Sequence, residues 1–177
     1  MRKTLAVCCL LVGPFGGLDL SARGVDPTAR PTSAHVPGPH VRGTTLRMTN
    51  LLQQAIARSS TFAAIVKAID ATDVIVHVEE VRTLSAGVDG RLLFVHAAGG
   101  VRYLRAQVLM GRSVVDTMST VGHELQHALE VATNSHVRDT GSFAALYGLI
   151  GDHPIRPDQY DTPAAREAGR RVRSELN

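Results

Sequence analysis

SVVDTMSTVGHELQHALEVAT, residues 113–133, decides how this chain is read, because one helical period organises both its apolar and its polar residues. At about 100° per residue, Val114, Met118, Val121, Leu125, Ala128 and Ala132 fall on one stripe. Asp116, Ser119, His123, His127 and Glu130 fall on the opposite side. A helix patterned in this way packs its stripe on a core and turns its histidines towards a cleft. His123 and His127 stand one turn apart, the spacing at which two imidazoles can share a metal ion. Glu124 projects to the flank, where it can take a proton from a water at that ion. The bland alternative is a solvated face on which two histidines align.

Before this segment the period changes from helical to alternating. VIVHVEEV, residues 74–81, is rich in β-branched residues, and RLLFVHAA and VRYLRAQVLM, residues 91–98 and 101–110, flank the Gly99–Gly100 pair. Two such runs joined by two glycines are a hairpin signal. Together the three runs predict a three-stranded, mostly antiparallel sheet, with His77 and His96 as ordinary mid-strand residues. Upstream, Thr44 or Thr45 caps a helix over LRMTNLLQQAIAR, with Leu52 and Ile56 on its inner face. Ser59, Ser60 and Thr61 give a second capping signal, so FAAIVKAID either continues that helix with a kink or starts a new one. Downstream, a short helix is expected around residues 142–150. Thr162 and Pro163 then occupy N-cap and first-turn positions of a C-terminal helix whose buried stripe is Ala165, Ala168, Val172 and Leu176.

The N-terminal quarter has a different character. Arg2 and Lys3 precede the apolar run TLAVCCLLVGPFGGL, with small residues at Ser21 and Ala22, so residues 1–22 read as a signal peptide for export to the periplasm or the outside. An uncleaved membrane anchor is the alternative, although Gly13, Pro14, Gly16 and Gly17 break the run. Residues 23–43 hold four prolines without a hydrophobic period and read as a linker in which His35 and His40 are solvated. Residues 44–177 are then one α+β domain: an N-terminal helix, the sheet, the 113–133 helix and a C-terminal helix.

Composition excludes several functions. Cys8 and Cys9 are the only cysteines, and both lie in the leader, so a processed chain has no disulfide, thiol ligand or thiol nucleophile. The net charge is +3, of which Arg2, Lys3 and Asp19 leave with the leader, and the arginines form no block. With aromatics at 4% of residues this argues against nucleic-acid binding. Membrane contact is expected only through an uncleaved leader, and no oligomeric state is specified.

HELQH, at residues 123–127, resembles the HExxH signature of zincin-type zinc metallopeptidases. The resemblance implies a compact zincin-like domain with His123 and His127 as Zn2+ ligands, Glu124 as general base and a third ligand further along the chain. The glycine and third histidine that extend the signature in metzincins are replaced by Glu130 and Thr133. The resemblance is therefore to the gluzincin branch, whose third ligand is an acidic residue on a later helix.

A hydrolytic zinc site wants three protein ligands and one open position, and Glu130, His136, His153, Asp161 and Glu167 are the candidates for the third. Asp161 falls on the inward side of the C-terminal helix if the helical turn reaches it, whereas Glu167 lies about 180° away. Glu130 is the rival, since it shares the face of His123 and His127. Its Cα, however, stands about 10 Å along the helix from that of His123, which suits a partner orienting His127 better than a ligand. Tyr103, Tyr147 and Tyr160 are candidate donors to an oxyanion. The expected function is a small exported metallopeptidase acting on a peptide or protein substrate; the alternative is a non-catalytic domain of the same fold used for binding or structure.

Overall fold

A computed structural model describes residues 38–85, 87–152 and 160–177. The leader, the linker up to residue 37 and His153 lie outside the described residues. In chain order the elements are β1 (Val41–Gly43), α1 (Leu46–Arg58), α2 (Ser60–Asp70), β2 (Val74–Val81), β3 (Gly90–Ala98), β4 (Val101–Leu109), α3 (Val114–Thr133), α4 (Thr140–Ile150) and α5 (Pro163–Leu176). The class is α+β, as expected, but the sheet differs from the three-stranded, mostly antiparallel expectation. It has four strands in the order β1-β2-β4-β3; β1 and β4 both run parallel to β2, and only β3 is antiparallel to its neighbour. The β3–β4 hairpin forms as predicted, turning through Gly99 and Gly100 at φ of 58° and 80°, values that suit glycine. β4 folds back between β2 and β3 instead of extending a meander. Burial explains the choice: β4 is mostly buried and takes a central place, whereas β3 is largely accessible and takes the edge.

The other edge is made by the last three residues of the stretch read as linker. Val41 is buried, the amide of Val76 donates to the His40 carbonyl at 2.8 Å, and that of Thr44 donates to the Val78 carbonyl at 3.0 Å. His40, expected in solvent, is buried here. Proline density hid this strand, because three residues acquire extended pairing only through a long-range partner. Gly43 is required beside it, since a Cβ there would stand 2.5 Å from the backbone nitrogen of Thr49 in α1.

One sheet face carries the core in cross-strand rows, Val76–Leu104–Phe94 and Val78–Ala106–Leu92. α1, α2 and α3 cover this face. α1 and α2 are separate helices, because Ser59 leaves helical geometry and its hydroxyl caps α2 by accepting from the Phe62 amide at 3.0 Å. α1 buries Met48, Leu51, Leu52 and Ala55, while Ile56 is exposed. In α3 the stripe is Met118, Val121, Leu125, Ala128 and Val131; Val114 is exposed in the first turn.

α5 packs on the far side of α3, so α3 is covered on two sides. Contact is close because a Cβ at Gly122 would stand 2.9 Å from Val172, and one at Gly169 would stand 3.3 Å from His123. The Ser119 hydroxyl donates to the Gly169 carbonyl at 2.8 Å across the same interface.

The C-terminus of α3 is closed by Arg102 of β4, a wholly buried guanidinium. It donates to the carbonyls of Val131 at 2.7 Å, Asn134 at 2.9 Å and Ala132 at 3.0 Å and pairs with Asp73 at 2.5 Å. Unpaired carbonyls and the negative helix end are both satisfied by one planar cation. Among the described residues no helix is long and apolar enough to cross a membrane.

Candidate metal centre

The polar side of α3 faces a cleft of about 810 Å³, not open solvent. Its walls are α5 on one side and the start of β3 on the other, with α4 at one end. His123 is partly exposed in its floor, and Glu124 and His127 are buried.

Asp161 arrives from the residue before the α5 cap. Its Oδ1 lies 3.4 Å from Nε2 of His123 and 3.8 Å from Nε2 of His127. Ligand atoms from all three residues lie within 4.8 Å of one another. Donors about 2.0–2.2 Å from a tetrahedral zinc stand roughly 3.4 Å apart, so the two imidazole–carboxylate pairs already have the spacing that ion needs, and the set as a whole fits it after shifts of up to about an ångström. The other candidates are elsewhere: Glu167 points outward and pairs with Arg170 and Arg171, and His136 is exposed on the loop after α3.

Glu130 has a different place. Its Oε2 accepts from Nδ1 of His127 at 2.9 Å, which leaves Nε2 of that ring as the lone-pair nitrogen facing Asp161. Its Oε1 accepts from the Thr162 hydroxyl at 2.6 Å, and the same hydroxyl oxygen caps α5 by accepting from the Ala165 amide at 3.1 Å. One carboxylate therefore fixes the second imidazole and also the residue following Asp161. The segment before α5 is tied again where the Asp152 amide donates to the Asp161 carbonyl at 2.8 Å, and Arg166 pairs with both Asp152 and Asp161.

Burial sets the protonation of the centre. It pushes the Glu124 carboxyl up to about 7, against the pull of His127. His123 is held down at about 4, first by burial and then by the neighbouring His127. Burial also opposes charge on His127, but the hydrogen bond to Glu130 and the surrounding carboxylates outweigh it and raise that group. A neutral imidazole, a hydrogen-bonded imidazole and a carboxylate are the donor set a divalent cation takes.

The tyrosines sort differently from expectation. The Tyr147 hydroxyl donates to the His127 carbonyl at 2.9 Å, and its ring meets the His127 ring edge-on at 5.2 Å. It thus holds the ligand helix. Tyr103 stacks on His96 at 4.5 Å, away from the cleft lining, while Tyr160 lines the cleft and is partly exposed.

Gly90 is a site residue that sequence reading missed. A Cβ on it would stand 2.5 Å from Thr120 and 2.7 Å from Oε1 of Glu124, so its bareness is what lets Glu124 lie beneath the edge strand. Nothing local in GVDGRLL marks this glycine apart from its neighbours; the contact is made across the fold. Comparison with known protein families, curated proteins and solved structures returned no match.

Proposed function

We propose that this chain is an exported zinc-dependent hydrolase that cleaves peptide bonds, similar in its centre to zincin-type metallopeptidases. The observation that carries the reading is the arrival of Asp161 beside Nε2 of both His123 and His127, from the segment that leads into α5. A zinc ion held by these three residues supplies Lewis acidity, which polarises a carbonyl and brings the pKa of a water to about 7.

The chain's own groups supply the rest. Glu124 is buried beside the cluster with its proton affinity near neutrality, so it can accept a proton from the attacking water and return it to the departing amine. Glu130 keeps His127 in one tautomer, Tyr147 holds the helix that bears both histidines, and Thr162 fixes the segment that carries Asp161. Among the described residues β3 has no strand on its outer edge, and that edge borders the cleft at Gly90, so an extended peptide can add to it through main-chain hydrogen bonds.

The test is metal content followed by substitution. The purified full chain is expected to hold one zinc and to cleave an unstructured protein substrate, losing both in chelator and regaining both on readdition. Glu124→Gln should retain the zinc and lose cleavage by about 10² to 10⁴-fold, the size of a general acid–base contribution. A variant that loses zinc, or one that cleaves as the parent does, removes Glu124 from this role.

A further inference from the structure

The small net charge of the chain conceals an uneven distribution over the cleft. Besides the metal-centre residues, its charged lining among the described residues consists of Asp89, Arg91, Asp152, Arg166, Arg170 and Arg173. Arg166 and Asp152 are paired with each other. Asp89 is matched by Arg112, which does not line the cleft. What remains is Arg170 and Arg173 on the α5 wall. The Arg91 side chain donates from Nε to Gln107 at 2.6 Å on the sheet face opposite Leu92 and Phe94, and takes no part. Arg170 and Arg173 pair with Glu167 and Asp116, which stand outside the lining, and their side chains are 74% and 49% exposed. Exposed pairs of this kind contribute little and exchange readily for another carboxylate.

We propose that the cleft selects peptide substrates with an acidic side chain, received by Arg170 and Arg173 on the α5 wall. The proposal rests on the hydrolase reading of the same site. Guanidinium groups match carboxylates in a planar, two-bonded geometry. Arg173 meets Asp116, two turns before His123, so the arginines flank the half of the cleft on the N-terminal side of the metal centre. Two turns are about 10 Å, or roughly three residues of extended chain. The acidic residue therefore sits within about three residues of the bond to be cut. Arg171, on the same helix, faces a separate surface groove with Thr61 and Ala64 and takes no part.

The experiment compares labelled octapeptides that differ only in Glu, Gln or Lys at one position. Binding is read by fluorescence anisotropy on zinc-loaded full chain carrying Glu124→Gln, and cleavage on the parent. The Glu peptide is expected to bind about tenfold better than the Lys peptide. The gap should close between about 0.1 M and 1 M salt, as the screening length falls from about 10 Å to about 3 Å. Arg170→Glu with Arg173→Glu should reverse the order, and Arg171→Glu, the same charge change on the other face, should not. If the double variant fails to fold, Arg170→Glu alone makes the same test with half the charge change. Equal binding of the three peptides, or a preference that survives these charge reversals, overturns the proposal. Charge-selective binding without cleavage by the parent overturns the hydrolase reading alone; cleavage indifferent to charge overturns the selectivity alone.

Discussion

Thr162→Val removes one hydroxyl and keeps the shape of the side chain, and its consequences run in two directions from the same atom. The Thr162 oxygen caps α5 through the Ala165 amide, and its proton goes to Glu130, which in turn holds His127. Loss of an N-cap costs about 1 kcal/mol, and loss of a hydrogen bond to a partly buried carboxylate costs about 1.5 kcal/mol. Together these give about 2.5 kcal/mol, or a fall in Tm of about 8–10 °C for a domain of this size. Urea unfolding in chelator measures that loss. The second consequence concerns the metal: Asp161 is positioned by the residue that follows it, and disturbing an outer partner of a ligand typically weakens metal binding about 10- to 100-fold. Competition against a chelator of known zinc affinity measures this separately. Thr162→Ser retains the oxygen and should restore both quantities. If Thr162→Val destabilises the chain as expected but binds zinc as tightly as the parent, the cap does not set the third ligand and the coupling through Glu130 is wrong.

Gly90→Ala is expected to reduce cleavage at least tenfold with zinc retained, because the new methyl would occupy the space of Glu124 Oε1; unchanged activity would show that β3 or Glu124 shifts without cost. Arg102→Met should lower stability by about 3–5 kcal/mol in urea unfolding, since Asp73 and three helix-end carbonyls lose one shared donor; Arg102→Lys should recover only part of it, and full recovery would contradict the need for a planar fork. Glu175 accepts from the hydroxyls of Ser59 and Thr61 at the start of α2, contacts that hold its carboxyl down at about 2. A lowered carboxyl stabilises the folded state at pH above its unfolded value near 4.5 and ceases to do so as pH falls through about 2. The stability difference between the parent and Glu175→Gln should therefore be present at neutral pH and vanish in that acidic window; a pH-independent difference would locate the effect in packing.

The elements legible in the sequence were those set by neighbours. Thr45, Ser59 and Thr162 announced helix starts because a hydroxyl that accepts an amide three residues on needs no distant partner. Gly99 and Gly100 announced their hairpin for the same reason, and the α5 stripe of Ala165, Ala168, Val172 and Leu176 was visible as a period. Strand order was not legible. VRYLRAQVL and RLLFVHAA have similar composition, and nothing within either says that the first takes a central place and the second an edge. β1 was masked by its prolines, and Arg102 read as one more arginine in a strand until the end of α3 came to rest on it.

Sequence by itself determined that His123 and His127 share one face of one helix with Glu124 on its flank, since helical spacing depends only on the backbone. Only the tertiary structure decided what meets that face. Asp161, Thr162, Gly90 and the arginines of α5 come from segments far apart in the chain, and their approach depends on close packing of α5 on α3 through Gly122 and Gly169 and on β3 taking the sheet edge. Burial, proton affinity and cleft charge are properties of that packing: they depend on what surrounds a side chain in space, which residue order along a single element does not contain.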